Sequence, residues 1–501
     1  MQTASKKVIN GWAMYDWANS VYNLVITTTF FPIYFLVVTK QSSGGGDKVH
    51  FLGRDFVNSS LYDYSLAAAY LLISILYPIL TSIADTRGSK KNFMRFFCYM
   101  GSLACALLFF FDKDNLGLGI LCLIFASLGY SGSLVFYNSY LPEIAAPEDQ
   151  DRVSAKGYAY GYVGSVLLQL IGFALVVTLT DQLLSLRLNF LLVGLWWAGF
   201  AQLTFRVLPK GQRPQGPQPN VFTAGFAEIR KVFNEVRKMT VLKRYLRGFF
   251  FYSMGVQTVM LAATLFGSKL LHLADTKLIV TVVLIQLVAI LGAIWMSRLS
   301  ARWGNIRVLM GVILFWIVIV IAAYTTASMA APLKPYHDRI AGLEAQLKTI
   351  QQNRAQAAPP PAPMPRDSAA QLQYARDTSY QASLGRVTGE LSKAQSALAP
   401  KQAPIEYAFY LLALAVGLVM GGIQSLSRST YSKLMPETKD TASYFSYYDL
   451  TEKLAIVVGM FSFGFIEEKT GSMQNSILFL IVFFAIGFIW LYSALVKQKH
   501  A

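Results

Sequence analysis

The sequence predicts an all-α integral membrane protein with twelve transmembrane helices, arranged as two six-helix halves. Three observations support this fold class. The 501 residues are 54% hydrophobic and only 14% charged, whereas soluble domains carry about 25% charged residues. Twelve segments are long and apolar enough to cross a hydrocarbon core of about 30 Å. Two short motifs recur in the second half of the chain, at offsets that a single insertion reconciles.

The predicted spans follow the apolar runs of the sequence. No short charged region with a small-residue cleavage site precedes the first span, so we expect a retained helix rather than a cleaved signal peptide. The twelve spans cover residues 12–38, 64–84, 94–112, 116–142, 156–180, 187–207, 245–271, 277–298, 307–330, 405–433, 443–467 and 474–496.

The Lys and Arg residues indicate how the spans are oriented. With the N-terminus in the cytoplasm, 25 of the 44 fall in cytoplasmic segments and 8 in the short outer loops. This asymmetry obeys the positive-inside rule, so both termini are predicted to be cytoplasmic. Much of the net charge of +17 then faces anionic lipid headgroups. No nucleic acid is predicted as a partner, because the sequence lacks a basic and aromatic groove pattern.

Internal repetition organises the chain. Gly88 in ADTRGSKK has a counterpart in Gly304 of SARWGNIR, at an offset of 216. The tripeptide at 141–143, Leu-Pro-Glu, matches Met-Pro-Glu at 435–437, at an offset of 294. The two offsets differ by 78 residues, which is close to the length of the extra polar loop between spans nine and ten. Two parallel six-helix repeats with one insertion explain both, and this architecture occurs in the major facilitator superfamily.

Two polar segments interrupt the spans. Residues 208–244 contain an amphipathic helix that lies on the inner leaflet or packs on the cytoplasmic helix ends; both interpretations stay open. Residues 331–404 carry heptad-like arms around a proline-rich break, which predicts an outer helical hairpin. Its region 333–403 either contacts an extracytoplasmic protein or is a decoration without essential function. The predicted domains are 1–207, the linker 208–244, spans seven to nine at 245–330, the hairpin 331–404, and 405–501.

Polar residues form stripes along several spans. In span one, they step by three and four and therefore share one helical face, as do the polar residues of spans five, seven and ten. Such stripes line a substrate path or make polar contacts between helices. We take the set as a path for a small-molecule substrate, with these solute contacts: Asn19, Asn23, Tyr158, Tyr162, Gln257 and Gln424.

Charged residues at membrane depth need partners. Arg428 stays protonated, so it requires an anion, either a protein carboxylate or a substrate carboxylate. Asp16 or Glu452 could hold it in the empty protein, and protonation of that acid would couple a proton to transport. Asp449 and Lys453 are spaced for an i, i+4 pair, which leaves Glu452 the freer acid. We therefore assign Arg428 as substrate anchor and Asp16 and Glu452 as proton-coupling sites; a permanent structural ion pair is the alternative.

Three blocks carry a resemblance to a known family. WAMYDWANSVY, YNSYLPEI with RVSAKGYAYGYVGS, and GGIQSLSRSTYSKLMPE together resemble the autophagy-related vacuolar amino-acid effluxers and their bacterial relatives, in the major facilitator superfamily. The resemblance covers nearly the whole chain except the hairpin. It implies a twelve-span fold with spans one, four, seven and ten around the cavity. It also implies export of neutral amino acids such as leucine, isoleucine and tyrosine.

The loop after span two points to a gate. A carboxylate at Asp85 can accept from backbone N–H groups at the start of a neighbouring helix and pair with a base. The loop is similar to the superfamily's gating motif, Gly-x-Leu-Ala-Asp-Arg-x-Gly-Arg-Lys. Asp85, Gly88 and Lys90 fit the motif, whereas Thr81, Thr86 and Ser89 depart from it. At the offset of 216 the second half has Ala301, so only one half carries this latch.

The sequence thus predicts a secondary active transporter of amino acids or related small carboxylates. It would work by alternating access in a bacterial cytoplasmic membrane, surrounded by lipid, with proton coupling left open. No catalytic triad, phosphate loop or metal cluster suggests an enzyme or a cofactor. Cys98, Cys105 and Cys122 lie in apolar spans without metal-ligand spacing. The alternative function is a non-transporting receptor or assembly protein that uses the outer hairpin as its contact surface.

Overall fold

The computed structural model describes residues 2–46, 48–209, 221–356 and 368–499, most of which are helical. Within these ranges, π-helical stretches cover Tyr22–Phe30 and Phe266–Leu270, and 3-10 turns cover Leu108–Phe110 and Ala331–Leu333. The strands are β1 (Lys48–Phe51) and β2 (Arg54–Val57). The α-helices are α1 (Lys6–Val21), α2 (Phe31–Ser42), α3 (Asn58–Thr86), α4 (Lys90–Leu107), α5 (Leu116–Ser139), α6 (Leu141–Ile144), α7 (Gln150–Thr178), α8 (Gln182–Val207), α9 (Val221–Lys238), α10 (Thr240–Leu265), α11 (Asp275–Trp303), α12 (Asn305–Ala330), α13 (Lys334–Gln356), α14 (Ser368–Leu434), α15 (Thr441–Thr470) and α16 (Met473–Lys499).

A small antiparallel sheet in the loop between α2 and α3 departs from the all-helical prediction. Lys48 pairs with Val57 and Phe51 with Arg54, so β1 and β2 form a tight hairpin. Leu52 and Gly53 connect the strands, both with positive φ, at 49° and 78°. A two-residue turn of this hand matches the twist of paired strands. Leucine rarely adopts such a conformation, which is why the loop carries no clear hairpin signal.

Ten helical segments among the described residues are long and apolar enough to cross a membrane. The chain is therefore a multi-pass membrane protein. Helices α10 and α15, at predicted spans seven and eleven, are not among the ten. Helix α15 carries Asp449, Glu452 and Lys453 in its first half, and such groups avoid lipid by facing protein or water. Twelve spans and cytoplasmic termini stay predictions.

The turns that suggested an internal repeat share a backbone feature. Gly88, between α3 and α4, has φ 59°, and Gly304, between α11 and α12, has φ 84°. Glycine adopts this left-handed conformation without the steric penalty of a side chain. The matched glycines thus adopt the same backbone conformation after their helices, which is consistent with the predicted repeat.

Contacts divide the chain into two compact units. Unit 1 comprises Met1–Ala262, Ile279–Val320 and Ala413–Ala501, and so holds helices from both predicted halves. Unit 2 comprises Ala263–Leu278 and Ile321–Leu412, which includes the predicted hairpin. Within unit 2, Lys401 Nζ donates to Tyr336 Oη at 2.6 Å, which joins α13 to α14. The proline-rich break at 358–365 lies outside the described residues.

Helix α9, in the predicted linker, packs on the neighbouring helix ends. Val232 and Val236 are 2% and 3% exposed, and α9 lies against α3 and α15. Lys231 Nζ donates to Asp440 Oδ2 at 2.8 Å, just before α15 begins. Of the two interpretations of this linker, these contacts favour packing on the helix ends. Residues 210–220, before α9, lie outside the described part.

Candidate functional site

Arg428 lies at the centre of a buried polar cluster in unit 1. Its side chain is 2% exposed and pairs with Asp16 of α1, with Nη1 and Nη2 at 3.3 and 3.4 Å from Asp16 Oδ2. Tyr137 also donates to that oxygen, at 2.7 Å. Ser154 and Asn138 accept the remaining guanidinium contacts. We call these five residues the Arg428 cluster; they join α14, from the predicted second half, to α1, α5 and α7 from the first.

The cluster uses every donor of the guanidinium. Arginine has five N–H groups. Nε donates to Ser154 Oγ and Nη2 to Ser154 O, both at 2.9 Å, and Nη1 donates to Asn138 Oδ1 at 3.2 Å. The two contacts to Asp16 account for the others. Of the two acids expected to hold Arg428 in the empty protein, Asp16 is the one that does so. A solute carboxylate would have to replace one of these partners.

Aromatic rings and a glycine complete the cluster. The guanidinium carbon lies 4.9 Å from the ring of Trp12, 5.5 Å from that of Tyr137 and 4.4 Å from that of Tyr158. Cation–π contacts of this kind gain strength when they are desolvated. A Cβ at Gly157 would overlap Asp16 Oδ2 and lie 2.9 Å from Tyr137 Oη. Helix α7 therefore needs a glycine here to approach α1.

The predicted solute contacts divide into paired and unpaired side chains. Tyr162 donates to Gln424 Oε1 at 2.7 Å, which links α7 and α14. Gln257 donates to Glu452 Oε1 at 3.1 Å. Asn19 is 1% exposed, and its Nδ2 has no hydrogen-bond partner in the part of the chain that the structure describes. Asn23 lies in the π-helical stretch Tyr22–Phe30, a geometry that often marks functional sites.

The predicted pairing of Asp449 with Lys453 on α15 is wrong. Lys453 Nζ forms its ion pair with Glu452 Oε2, at 3.6 Å, rather than with Asp449. Glu452 also accepts from Gln257 of α10, so it is not the freer acid. Instead Asp449 is 5% exposed, and its Oδ2 lacks a hydrogen-bond partner among the described residues. Adjacent residues on a helix do not face each other, so spacing alone favoured Asp449 as the partner of Lys453. The contact from Gln257 of α10 to Glu452 is one that spacing along α15 does not reveal.

Asp85 makes the backbone contacts that its position predicted. Its Oδ2 accepts from the N–H and from the hydroxyl of Ser443, both at 2.8 Å, and its Oδ1 accepts from Ala442 N–H at 3.4 Å. These donors lie at the N-terminus of α15, where the helix dipole favours an anion. Lys90 Nζ lies 3.4 Å from Asp85 Oδ1 and also pairs with Glu143. The role of Asp85 and Lys90 as a gate stays a prediction.

Sequence reasoning missed a second cluster of this kind. Asp151, at the start of α7, accepts from Ser300 Oγ at 2.8 Å, from Asn305 Nδ2 at 2.6 Å and from Lys433 Nζ at 2.7 Å. We call these four residues the Asp151 cluster. Beside it lies a cavity of about 440 Å³. Arg302, Arg307 and Lys433 line it, so it is a basic recess at the helix ends.

Other missed residues lie close to predicted ones. Ser154 extends the polar stripe of Tyr158 and Tyr162 by one helical turn, so a longer stripe would have included it. Gln286 donates to Gln169 Oε1 at 3.1 Å, and Gln169 donates to Thr29 Oγ1 at 2.8 Å. No local pattern marks Gln286, because its partner lies 117 residues away.

Comparison with known proteins agrees with this architecture. The family described as "Vacuole effluxer Atg22 like" matches residues 4–337 and 400–501. The gap, 338–399, falls inside the predicted insertion. The chain is 24% identical to the uncharacterised MFS-type transporter YxiO of Bacillus subtilis, over 96% of this chain and 93% of that protein. It is 21% identical to autophagy-related protein 22-1 of Penicillium rubens, over 95% and 88% respectively.

A solved structure shows the fold. The major facilitator superfamily proton:xylose symporter XylE superposes with a TM-score of 0.59 at 12% identity, over 97% of this chain and 95% of that one. The family match spans most of the sequence, including the helices that build the Arg428 cluster. The chain therefore belongs to the Atg22-like vacuole effluxer family and is a transporter of the major facilitator type.

Proposed function

We propose that this chain exports small amphipathic carboxylate solutes by alternating access, with neutral amino acids as the first candidates. The Arg428 cluster is the observation that carries the proposal. It places a cation and a carboxylate, both buried, between helices of the two predicted halves. A solute carboxylate that competes with Asp16 for Arg428 would loosen the contact between those halves, so binding and conformational change would be linked.

The side chains around Arg428 suit an amphipathic solute. Tyr158 and Tyr162 offer aromatic faces, and Gln424, Gln257, Asn19 and Asn23 offer amide groups. The family is described as "Vacuole effluxer Atg22 like". This description supports export as the direction of transport. Asp16 and Glu452 are the proposed proton-coupling acids, since each is paired with a cation here and would release it when protonated.

The gate in this proposal consists of Asp85, Gly88 and Lys90. Asp85 holds the N-terminus of α15 through two backbone N–H groups. Lys90 Nζ also donates to Thr441 Oγ1 at 2.5 Å, next to that N-terminus. These contacts stabilise the state in which the predicted cytoplasmic ends of α3 and α15 are together. Opening at this end would break them, so they would favour one of two states.

Transport in proteoliposomes tests the proposal. We expect saturable counterflow of tritiated leucine, isoleucine or tyrosine by the wild-type protein. Arg428→Lys keeps the charge but loses the planar fork, so it should lower counterflow at least about tenfold. The same change at exposed Arg298 is the matched control and should retain activity. Failure to move any of the three amino acids would refute the proposed solute class.

Substitutions along the stripes separate transport from the alternative function. If Tyr162→Phe and Gln424→Leu leave transport and ligand-induced thermal shifts unchanged, the polar path has no role and a receptor or assembly protein fits better. We further propose a bacterial cytoplasmic membrane as the location. The relative from Bacillus subtilis supports this.

A further inference from the structure

One buried carboxylate of unit 1 has no role in the proposal above. Asp449 of α15 is 5% exposed, and its Oδ2 has no hydrogen-bond partner within the described residues. The other two acids of this region are paired. Asp16 accepts from Arg428 and Tyr137, and Glu452 accepts from Gln257 and pairs with Lys453. Asp449 is the acid that the surrounding groups satisfy least.

The charges in this region do not balance. Arg428 and Lys453 are cations, and each already has its own carboxylate, Asp16 and Glu452. Asp449 is a third carboxylate within electrostatic reach of both cations and of Glu452. If every group were ionised, the region would carry one surplus negative charge. A buried surplus negative charge is costly unless a bound cation neutralises it.

The groups that face Asp449 favour a proton over other cations. Charged neighbours are Glu452 and Lys453 on its own helix and Arg428 on α14. Three tyrosines of α3, α7 and α14 also lie within electrostatic reach of it: Tyr77, Tyr158 and Tyr431. A metal cation requires about six oxygen ligands and would be repelled by Arg428 and Lys453. An ammonium group requires space beside the carboxylate, which is almost fully covered. A proton requires neither a set of oxygen ligands nor additional space.

We propose that Asp449 is a further proton-binding site of the transport cycle, beside the solute site and the proton-coupling acids Asp16 and Glu452 proposed above, on which this inference rests. The carboxylate takes up one proton to become a neutral carboxyl, which removes the surplus charge. Release of that proton restores the charge when the surrounding helices separate and water reaches Asp449. No other bond forms or breaks.

Asn138 links this acid to the Arg428 cluster. Its Oδ1 accepts from Arg428 Nη1 at 3.2 Å, and its side chain also interacts with Asp449. A solute that draws Arg428 away from Asn138 would therefore change the environment of Asp449. Asn138 is a positioning residue in this scheme, because it acts through Asp449 and not on the proton itself.

Infrared spectroscopy tests the site without a solute. The protein in liposomes is titrated, and the C=O stretch of a protonated carboxyl is followed. Exposed carboxyls are ionised above about pH 6, so we look for a band that persists to that pH and disappears as the pH rises further. We expect this band to be lost in Asp449→Asn and to remain in Glu452→Gln and Asp16→Asn. The absence of such a band in the wild-type protein, or the same band in Asp449→Asn, would overturn the proposal. A thermal unfolding curve for each variant confirms that it is folded.

Leucine transport supplies the second readout. Asp449→Asn should keep leucine counterflow, which needs no net proton movement, and should reduce the stimulation of net flux by a pH gradient. Stimulation equal to that of the wild-type protein would refute the assignment. A wild-type protein that moves no leucine would count against the proposed solute, and the infrared result then decides the role of Asp449 by itself.

Discussion

Asp85 accepts two hydrogen bonds at 2.8 Å from Ser443, a residue 358 positions farther along the chain, one from its backbone N–H and one from its hydroxyl. Asp85→Asn removes the charge that faces the N-terminus of α15. Since a hydrogen bond to a charged group contributes about 1.5–3 kcal/mol, turnover should fall roughly tenfold, with a smaller change in leucine affinity. Asp114→Asn, at an exposed carboxylate, is the control. Unchanged turnover would remove the gating role.

The Asp151 cluster should contribute to stability. Asp151 is 4% exposed in its side chain and holds Lys433, Asn305 and Ser300 together. Asp151→Ala leaves those donors without their acceptor and breaks a buried ion pair, which costs about 3 kcal/mol. Thermal unfolding in detergent measures the effect, and Glu148→Ala, at an exposed position nearby, should change the melting temperature little. Equal melting temperatures for the two variants would contradict this account.

Gly157 tests the close approach of α7 to α1. The added methyl of Gly157→Ala would overlap Asp16 Oδ2 and press on Tyr137, so both melting temperature and leucine counterflow should fall. Gly199→Ala in α8 is the matched control, because a Cβ there meets nothing within 4 Å. Alanine is the better helix former by up to about 1 kcal/mol, so this variant should be as stable as wild type or more so. A harmless Gly157→Ala would mean that the cluster tolerates rearrangement.

Deletion of most of the predicted hairpin, residues 338–399, tests whether it is essential. Residues 338–399 lie outside the family match, while Tyr336 and Lys401, which contact each other, lie just outside the deleted region. A short Gly-Ser linker in place of 338–399 should leave membrane insertion and leucine counterflow intact if the hairpin is a decoration. Lost counterflow with normal insertion would instead assign it an essential contact, and an unrelated linker of equal length controls for the junction.

Asp149 gives a pH-dependent prediction outside the spans. Hydrogen bonds, first from Thr3 Oγ1 at 2.6 Å and then from Arg152, hold the pKa of Asp149 below its ordinary 3.8. A lowered folded-state pKa adds stability above the unfolded value and loses it as the pH falls through the folded value. Thr3→Val should therefore lower the melting temperature at pH 7 and have less effect below pH 3.8. Thr3→Ser keeps the hydroxyl and should match wild type; a pH-independent deficit in Thr3→Val would point to packing.

The sequence predicts those contacts in which the chemistry of one residue determines the kind of partner that it requires. A buried arginine requires an anion, and a carboxylate at a helix end suits the N-terminus of another helix, so the partners of Arg428 and Asp85 follow from chemistry. The pairing on α15 does not follow, because helical spacing favours Asp449 as the partner of Lys453, whereas the structure pairs Lys453 with Glu452, which also contacts Gln257 of another helix. The role of Asp151 was not predicted because its partners, too, lie on other helices. Its partners are 149, 154 and 282 residues away, on three different helices.

The ion pair of Asp16 and Arg428 also bears on biogenesis. The two residues are separated by 412 positions, and a chain is made and inserted from its N-terminus. The ribosome has therefore completed α1, α5 and α7 long before α14 emerges. In that interval Asp16 has Tyr137 as a neighbour but lacks Arg428, its cationic partner among the described residues. Nascent chains halted before Arg428 should consequently be better targets for quality-control proteases than the finished transporter.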